Sequence, residues 1–406
     1  MSPRSRILNA ADRHGLALAL RSQRVLPNAT QLALFQTVIA SDADFAACWD
    51  RWTAQLSPPL SVDPVSLQSL PLLSKRLQPC HAGLLSKLIQ DSYRTTWIRN
   101  HLIFRALQSS LETLHQAGVR TLLLKGAALI KAYYKDMGAR TMGDFDILVP
   151  KTQFLKAAQA LEASGWSPLY SATDFDTHFD HALTFGDGRG NFLDLHVHVL
   201  HFTTRRDADD LFWADSVPVS VAGVETRTLS AADQILNLAE HGLSWVPNPP
   251  LRWIPDIACV VSRGDPDWDR LLWRAQHLHK SIAVSVALEY LNENQLATVP
   301  ERVLNSLRDL RVDGWELSDF ELNARDKLGS LFLAAREHWH RLNQEKYGLS
   351  LYRRLQLLPA YVTFCAKRAG YKSRRGYLFD FRIIKRHLLA RQGLYERPII
   401  DPRLRS

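Results

Sequence analysis

Two periods of apolar residues organise the chain. Up to about residue 117 the apolar positions recur with helical spacing. The clearest case is TTWIRNHLIFRALQSSLETLHQAG, where Trp97, Ile98, Leu102, Leu107, Leu111 and Leu114 fall near a 3.6-residue repeat. Gly118 is a natural stop for that helix. VRTLLLKG then reads as a short strand whose apolar run Leu122–Leu124 implies burial on both faces. AALIKAYYKDMG reads as a short helix ending near Gly138. KTQFLKAAQALEASGW reads as another, with Phe154, Leu155, Ala158 and Leu161 on one side and Gly165 as its stop. Between these two helices lies ARTMGDFDILVP, where an apolar strand opens on two carboxylates.

In DHALTFGDGRGNFLDLHVHVL the period changes to two. GDGRG is a turn cluster, and NFLDLHVHVL alternates apolar and polar residues, so the segment predicts a β-hairpin. SAADQILNLAEHGLSW returns to helix, with an N-cap serine and an apolar stripe of Ile235, Leu236 and Leu238. After the proline-rich break VPNPPLRWIPD, further helices run to about residue 345. The expected class is therefore α+β. Its parts are a helical region over 1–95, a small mixed core over 96–215, a helical domain over 216–345 and a final segment over 346–406.

Composition narrows the class without changing it. With 406 residues, 46% of them hydrophobic and 22% charged, the chain reads as globular and long enough for more than one domain. No apolar run approaches the roughly 20 residues that cross a bilayer. The N-terminal LALAL is shorter than a signal-peptide core and is followed by Arg21, so a cytoplasmic location is expected. Cys48, Cys80, Cys259 and Cys365 lack the spacing of a disulfide framework or a zinc knuckle.

The net charge of +9 is concentrated at one end: from Leu351 onward, fourteen Lys and Arg face three carboxylates. Phe364, Tyr371, Tyr377, Phe379 and Phe381 interleave with these cations. That pattern suits nucleic acid through phosphates and stacking, or an anionic membrane surface. It equally suits a helix packed on the more acidic remainder of the chain.

The candidate chemistry gathers around Asp144 and Asp146. Residues i and i+2 of a strand share a face, so the two carboxylates project together if the strand begins by Gly143. So close a pair is mutually repulsive, and desolvation adds to the cost. A divalent cation relieves both problems, and Mg²⁺ prefers one or two carboxylates plus substrate phosphates. Gly143 leaves room for a ligand. The alternative is a solvated turn: TDFDTHFDH carries the same spacing at Asp174 and Asp176 with no apolar run behind it, and reads as a loop.

Context favours the first pair. Asp194, on the predicted hairpin, would be the third carboxylate of a two-metal site. Lys125–Gly126 stands at a strand-to-helix junction, which suits an anionic phosphate. Arg140 could reach a phosphate, brace the turn or pair with Asp136. Asp194, His196 and His198 share a strand face and raise a zinc site, although three ligands from one strand are crowded. A hydrogen bond from His196 to a ligating aspartate is the other reading. His241 sits on a helix face or in a cleft.

In this order, LLLKGAALIKAYY, ARTMGDFDILVPKTQFLKAAQALEASGW and LDLHVHVL resemble the DNA polymerase β-like nucleotidyltransferase superfamily. Within it they resemble an uncharacterised bacterial nucleotidyltransferase family. The similarity continues through LSAADQILNLAEHG and PDWDRLLWRAQHL, and so covers roughly residues 95 to 290.

The resemblance implies a small mixed-sheet, polymerase β-like core between helical regions. It implies transfer of a nucleoside monophosphate from an NTP such as ATP to an acceptor hydroxyl or phosphate, releasing pyrophosphate, with two Mg²⁺ or Mn²⁺ ions. Asp144 and Asp146 match the paired metal ligands. Asp194 matches the carboxylate that helps bind the catalytic metal and activate the acceptor hydroxyl. Lys125 and Gly126 stand where the superfamily has Gly-Ser, and Val197 where the group often has Trp. Lys125, Gly126, Arg140, Gly143 and His196 are the candidate nucleotide-binding positions. The acceptor stays open among small molecules such as a sugar phosphate or alcohol, peptides, proteins and RNA ends. Two other functions stay open as well: an inactive binding module working through the basic tail, and a phosphotransferase on the same site.

Overall fold

A computed structural model describes residues 6–7, 25–56, 62–175, 181–200, 206–243 and 251–312, together with residues 314, 316, 317, 320 and 359. Contacts gather residues 1–320 into one unit and 321–406 into a second. Apart from residue 359, the basic segment expected over 346–406 lies outside the described residues.

The described strands are β1 (Arg6–Ile7), β2 (Leu122–Leu124), β3 (Phe145–Leu148), β4 (Ser167–Pro168), β5 (Ala182–Gly186), β6 (Phe192–His196), β7 (Val217–Val221), β8 (Val224–Thr228) and β9 (Arg311–Val312). The first helices are α1 (Ala29–Ile39), α2 (Phe45–Thr53), α3 (Pro64–Leu67), α4 (Leu84–Gln116), α5 (Lys125–Leu129) and α6 (Phe154–Ala163). There follow α7 (Arg206–Ala214), α8 (Ala231–Leu243), α9 (Trp253–Arg263), α10 (Trp268–His277), α11 (Ser281–Glu293) and α12 (Glu301–Asp309).

Strands β2 to β8 form one mixed sheet in the order β4-β5-β6-β3-β2-β8-β7. The β3–β6 and β2–β8 pairs are parallel and the others antiparallel. This is the expected α+β arrangement, a mixed sheet with flanking helices. The predicted hairpin is present as β5–β6, its connection carrying Gly188 and Gly190 at positive φ. The β7–β8 hairpin went unread. Its signals are the alternation of VPVSV and VETRT and a two-residue turn, Ala222–Gly223, with both residues at positive φ. Pro218 is tolerated because β7 lies at the sheet edge.

Strand parity divides the sheet. Leu123, Phe145, Ile147, Leu183, Phe185, Leu193 and Leu195 enter the main core with Leu107, Leu111 and Leu114 of α4 and Phe154, Ala157, Ala158 and Leu161 of α6. The intervening residues, Asp146, Thr184, Asp194 and His196, take the opposite face. A second core packs Leu34 of α1, Phe45, Trp49 and Trp52 of α2, and Leu70 and Leu73 against Ile89 of α4.

Three expectations about helices are corrected. Trp97, Ile98 and Leu102 are exposed, while Asn100, Ile103 and Phe104 are buried. The segment offers two apolar stripes, and the buried one is chosen by Asn100, whose Nδ2 donates to the carbonyls of Met137 and Arg140 at 2.7 Å each. Leu155 is exposed and Ala157 takes its place in the core. The helix after Lys125 ends at Tyr134 in a π-helical turn, with Lys135 in the left-handed region, short of Gly138. Gly138 serves a different need: a Cβ there would lie 2.4 Å from the Tyr93 ring.

Asp136, beside it, accepts from Tyr93 Oη at 2.9 Å and the Gly138 N–H at 2.9 Å, and pairs with Lys75 Nζ at 2.6 Å. Burial raises the Asp136 carboxyl, but Lys75 and these hydrogen bonds outweigh it and hold it below the ordinary range.

Helix α8 packs against α9, α10 and α11 and is buried along most of its length. Its enclosed carboxylates are paired, Asp233 with Arg274 at 3.0 Å and Glu240 with Lys280 at 3.3 Å. Among the described residues, no helix is long and apolar enough to cross a membrane.

Two outcomes are expected. Gly242→Ala would place a Cβ 2.4 Å from Trp253 Cβ across the α8–α9 contact. It should cost about 1–3 kcal/mol in denaturant unfolding, and a change within error would contradict so close an approach. For Asp136 the folded pKa lies below the unfolded one, near 3.8. Its contribution is therefore present above that pH and lost as pH falls through the folded value. Melting temperature measured downward from pH 5 should fall less steeply in Asp136→Asn than in the natural chain.

Candidate active site

The site begins with register. Asp146 of β3 lies directly opposite Asp194 of the parallel strand β6, and opposite Leu124 of β2 on its other side. Two carboxylates thus become neighbours although they stand 48 positions apart in the sequence. Asp144 stands just before β3, so it is exposed at the strand mouth, while Asp146 is only 3% exposed.

A carboxylate so enclosed needs partners. Lys125 Nζ lies 2.7 Å from Asp146 Oδ1, and His196 Nε2 lies 2.9 Å from the same oxygen. Burial alone would raise the Asp146 carboxyl. The Lys125 ammonium and then the His196 hydrogen bond outweigh it and hold the group well below the ordinary carboxylate range. Burial would likewise lower Lys125, but Asp146, Asp194 and Asp144 outweigh it and raise the ammonium. Asp144 moves the other way. Desolvation in the cleft, with repulsion from Asp146 and Asp194, raises its carboxyl, against a smaller opposing effect of Lys125 and Arg252. Asp194 is half-buried and accepts from Thr184 Oγ1 at 2.5 Å, across the β5–β6 register.

Donor atoms of Asp146, Asp194 and His196 lie within 4.8 Å of one another, a spacing that suits a metal ion. Asp146 spends one oxygen on Lys125 and His196, and Asp144 is pushed toward protonation by its neighbours. The second fact fits a carboxylate short of positive charge, which a divalent cation would supply. The other ring nitrogen of His196 faces the His198 carbonyl at 3.2 Å, which fixes the imidazole in place. The three residues read as a zinc set do not converge: β6 ends at His196, and His198 Nδ1 turns to Asp209 Oδ2 at 2.6 Å. In the second Asp-x-Asp, Asp174 ends a short 3₁₀ turn and Asp176 lies outside the described residues.

Lys125 stands at the β2–α5 junction with φ of 46°, and from this strained position it reaches into the sheet. Gly126 admits the turn before β3. A Cβ there would lie 2.7 Å from Arg140 Nη1 and 2.7 Å from Met142 Sδ. Gly143 is exposed, with nothing within 4 Å of an added Cβ, so the space beside Asp144 is open.

Arg140 braces the turn, and its partner is Asp256 in place of the Asp136 considered from the sequence. Nε and Nη2 form a bidentate pair with the two Asp256 oxygens, each at 2.8 Å, and Tyr134 Oη adds a third bond at 2.9 Å. Asp136 is taken by Lys75. Arg140 is only 8% exposed, and its fork is engaged by Asp256. Arg99 of α4 holds the other flank, donating to the carbonyls of Gly143 at 3.2 Å and Gly190 at 2.7 Å, and to Asn191 Oδ1 at 3.1 Å.

The sequence reading passed over Arg99, Thr184, Arg252 and Asp256. Only the alternation around Thr184 marked its face. Arg252 and Asp256 lie in LRWIPD, read simply as a break. His241, left between helix face and cleft, stands at the cleft. Desolvation there lowers the imidazole to about 3, and the nearby Lys125 and Arg252 charges add to the effect. The ring is neutral at physiological pH.

Removing Asp256 leaves Arg140 as a buried unpaired cation. Asp256→Ala should therefore destabilise by about 3–5 kcal/mol in denaturant unfolding. Arg140→Met with Asp256→Leu should recover most of that loss. If Asp256→Ala costs nothing, the pair does not hold the turn.

Comparison with known proteins agrees with this geometry. Neither a curated protein nor a solved structure matches the chain. A family described as uncharacterised nucleotidyltransferase matches residues 68–294, the stretch from just after α3 to the end of α11. The Asp146–Asp194–His196 cluster fits such a transferase. With more than half of its length matched, the chain belongs to the uncharacterised nucleotidyltransferase family.

Proposed function

We propose that the protein transfers a nucleoside monophosphate from an NTP to an acceptor hydroxyl or phosphate, releasing pyrophosphate, with Asp144, Asp146 and Asp194 as the working carboxylates. One observation carries this reading: β3 and β6 set Asp146 beside Asp194, while Asp144 stands at the open mouth of the same strand. Two Mg²⁺ or Mn²⁺ ions held by these three groups would neutralise charge on the attacking and leaving oxygens. The chain's own residues do the positioning. Lys125 and His196 keep Asp146 ionised and aligned, and Thr184 orients Asp194.

Asp194, half-buried, takes the proton of the acceptor hydroxyl as that oxygen bonds to the α-phosphorus. The bond from the α-phosphorus to pyrophosphate breaks in the same displacement. The open space at Gly143 admits the donor beside Asp144. The core over 96–215 carries the chemistry, and the basic segment over 346–406 would contact an anionic acceptor or surface.

One feature supports a second reading. Lys125 already supplies positive charge at Asp146, as in a binding module that has given up its metal.

Labelled ATP separates the alternatives. Incubation with cell extract should move the α-³²P label, and not the γ-³²P label, onto an acceptor, and EDTA should abolish the transfer. Asp144→Asn leaves the core untouched because the residue is exposed, and should lower transfer by about 100-fold or more. Movement of γ-label would indicate phosphotransfer. Unchanged transfer in Asp144→Asn would remove these carboxylates from the mechanism. Absence of Mn²⁺ binding by electron paramagnetic resonance would favour the binding module.

A further inference from the structure

Several positively charged or imidazole side chains surround the carboxylates, and most have settled roles; His196 is bound to Asp146. Lys125 is bound to Asp146 and Arg140 is clamped on Asp256. His241 is a neutral ring at the cleft mouth. Arg252 differs from all of them. It precedes α9 and is half-buried. Its Nη1 donates to the Thr141 carbonyl at 2.9 Å, which seats the guanidinium against the turn that presents Asp144. Its Nε is enclosed with no acceptor.

Among the described residues, Arg252 has no carboxylate in hydrogen-bond contact. Asp256, which could serve, is occupied by the bidentate Arg140. Burial and then repulsion by Arg140 lower the Arg252 guanidinium, against smaller attractions of Asp256, Asp144 and Asp146. The guanidinium sits against the turn that presents Asp144, repelled by Arg140 and held by one hydrogen bond to the Thr141 carbonyl, and the same turn is open at Gly143.

We infer that Arg252 is the phosphate-binding residue of this site, engaging the triphosphate of the donor nucleotide beside Asp144. This rests on the nucleotidyltransferase reading above and adds a residue to it. The planar fork of arginine matches phosphate oxygens bidentately, which lysine does not. Because Nε is enclosed, a phosphate would meet this fork through its terminal nitrogens. His241, next to the same charges, adds a neutral ring nitrogen to that wall.

The test measures binding by the full chain, without turnover. Tripolyphosphate, α,β-methylene ATP and inorganic phosphate are titrated by calorimetry in the presence of Mg²⁺. Arg252→Gln keeps an N–H donor for the Thr141 carbonyl and loses the charge, so a role confined to bracing the turn would survive it. Arg252→Lys keeps the charge and loses the fork. Arg252→Gln should weaken tripolyphosphate and the ATP analogue by about tenfold or more, with Arg252→Lys in between. Mn²⁺ binding and melting temperature should stay close to those of the natural chain.

Equal tripolyphosphate affinity in Arg252→Gln and the natural chain would overturn the inference and leave the nucleotidyltransferase reading standing. Weakening confined to inorganic phosphate would move the residue to the acceptor and overturn its assignment to the donor. If the natural chain binds neither tripolyphosphate nor the ATP analogue, the inference falls together with the reading beneath it.

Discussion

A carboxylate at 3% exposure in the middle of a sheet governs much of what surrounds it. Asp146 cannot remain ionised there without compensation, because losing water costs a charged group several kcal/mol. The compensation comes from both neighbouring strands. Lys125 approaches from the end of β2, and His196 from the end of β6. The left-handed backbone at Lys125 becomes intelligible in this light, as the conformation that turns its ammonium into the sheet. So does the bond from His196 to the His198 carbonyl, which keeps the ring aimed at Asp146.

The turn before β3 is held with comparable thoroughness. Asn100 fixes its carbonyls from below, Arg99 clasps it against the β5–β6 connection, and Arg140 anchors it to α9 through Asp256. Gly126 permits the approach by having no side chain. Rigidity here would serve the proposed displacement, since a chemistry that depends on charge placement tolerates little drift in its carboxylates. It also explains why α4 exposes Trp97 and Ile98. The face that includes Asn100 and Arg99 is required at the turn, and the more apolar residues give way.

Much of this was legible beforehand. Hairpin β5–β6, strands β2 and β3, and helices α6 and α8 follow from period and punctuation, because those signals are local. That Asp146 and Asp194 lie on strands of one sheet was legible from strand context, and their register makes them neighbours. The partners of these groups were not. Arg140 finds Asp256 across 116 positions, and Arg252 meets the site from a stretch that reads only as a proline-rich break. Helix α4 misled for a related reason: two stripes of similar hydrophobicity share one helix, and only the surface it docks on selects between them.

What the sequence by itself determined is the side of each strand on which a residue emerges. The Cβ period of two makes that a property of the backbone alone, so Asp194 and His196 were committed to one face as soon as β6 was a strand. What only the tertiary structure decided is which charges neutralise which. Coulomb interactions and desolvation depend on distances and enclosure that arise when β2, β3 and β6 align and α9 docks against the turn. For that reason the carboxylates were visible in the chain, while the ammonium, the imidazole and the unpaired guanidinium around them emerged only with the fold.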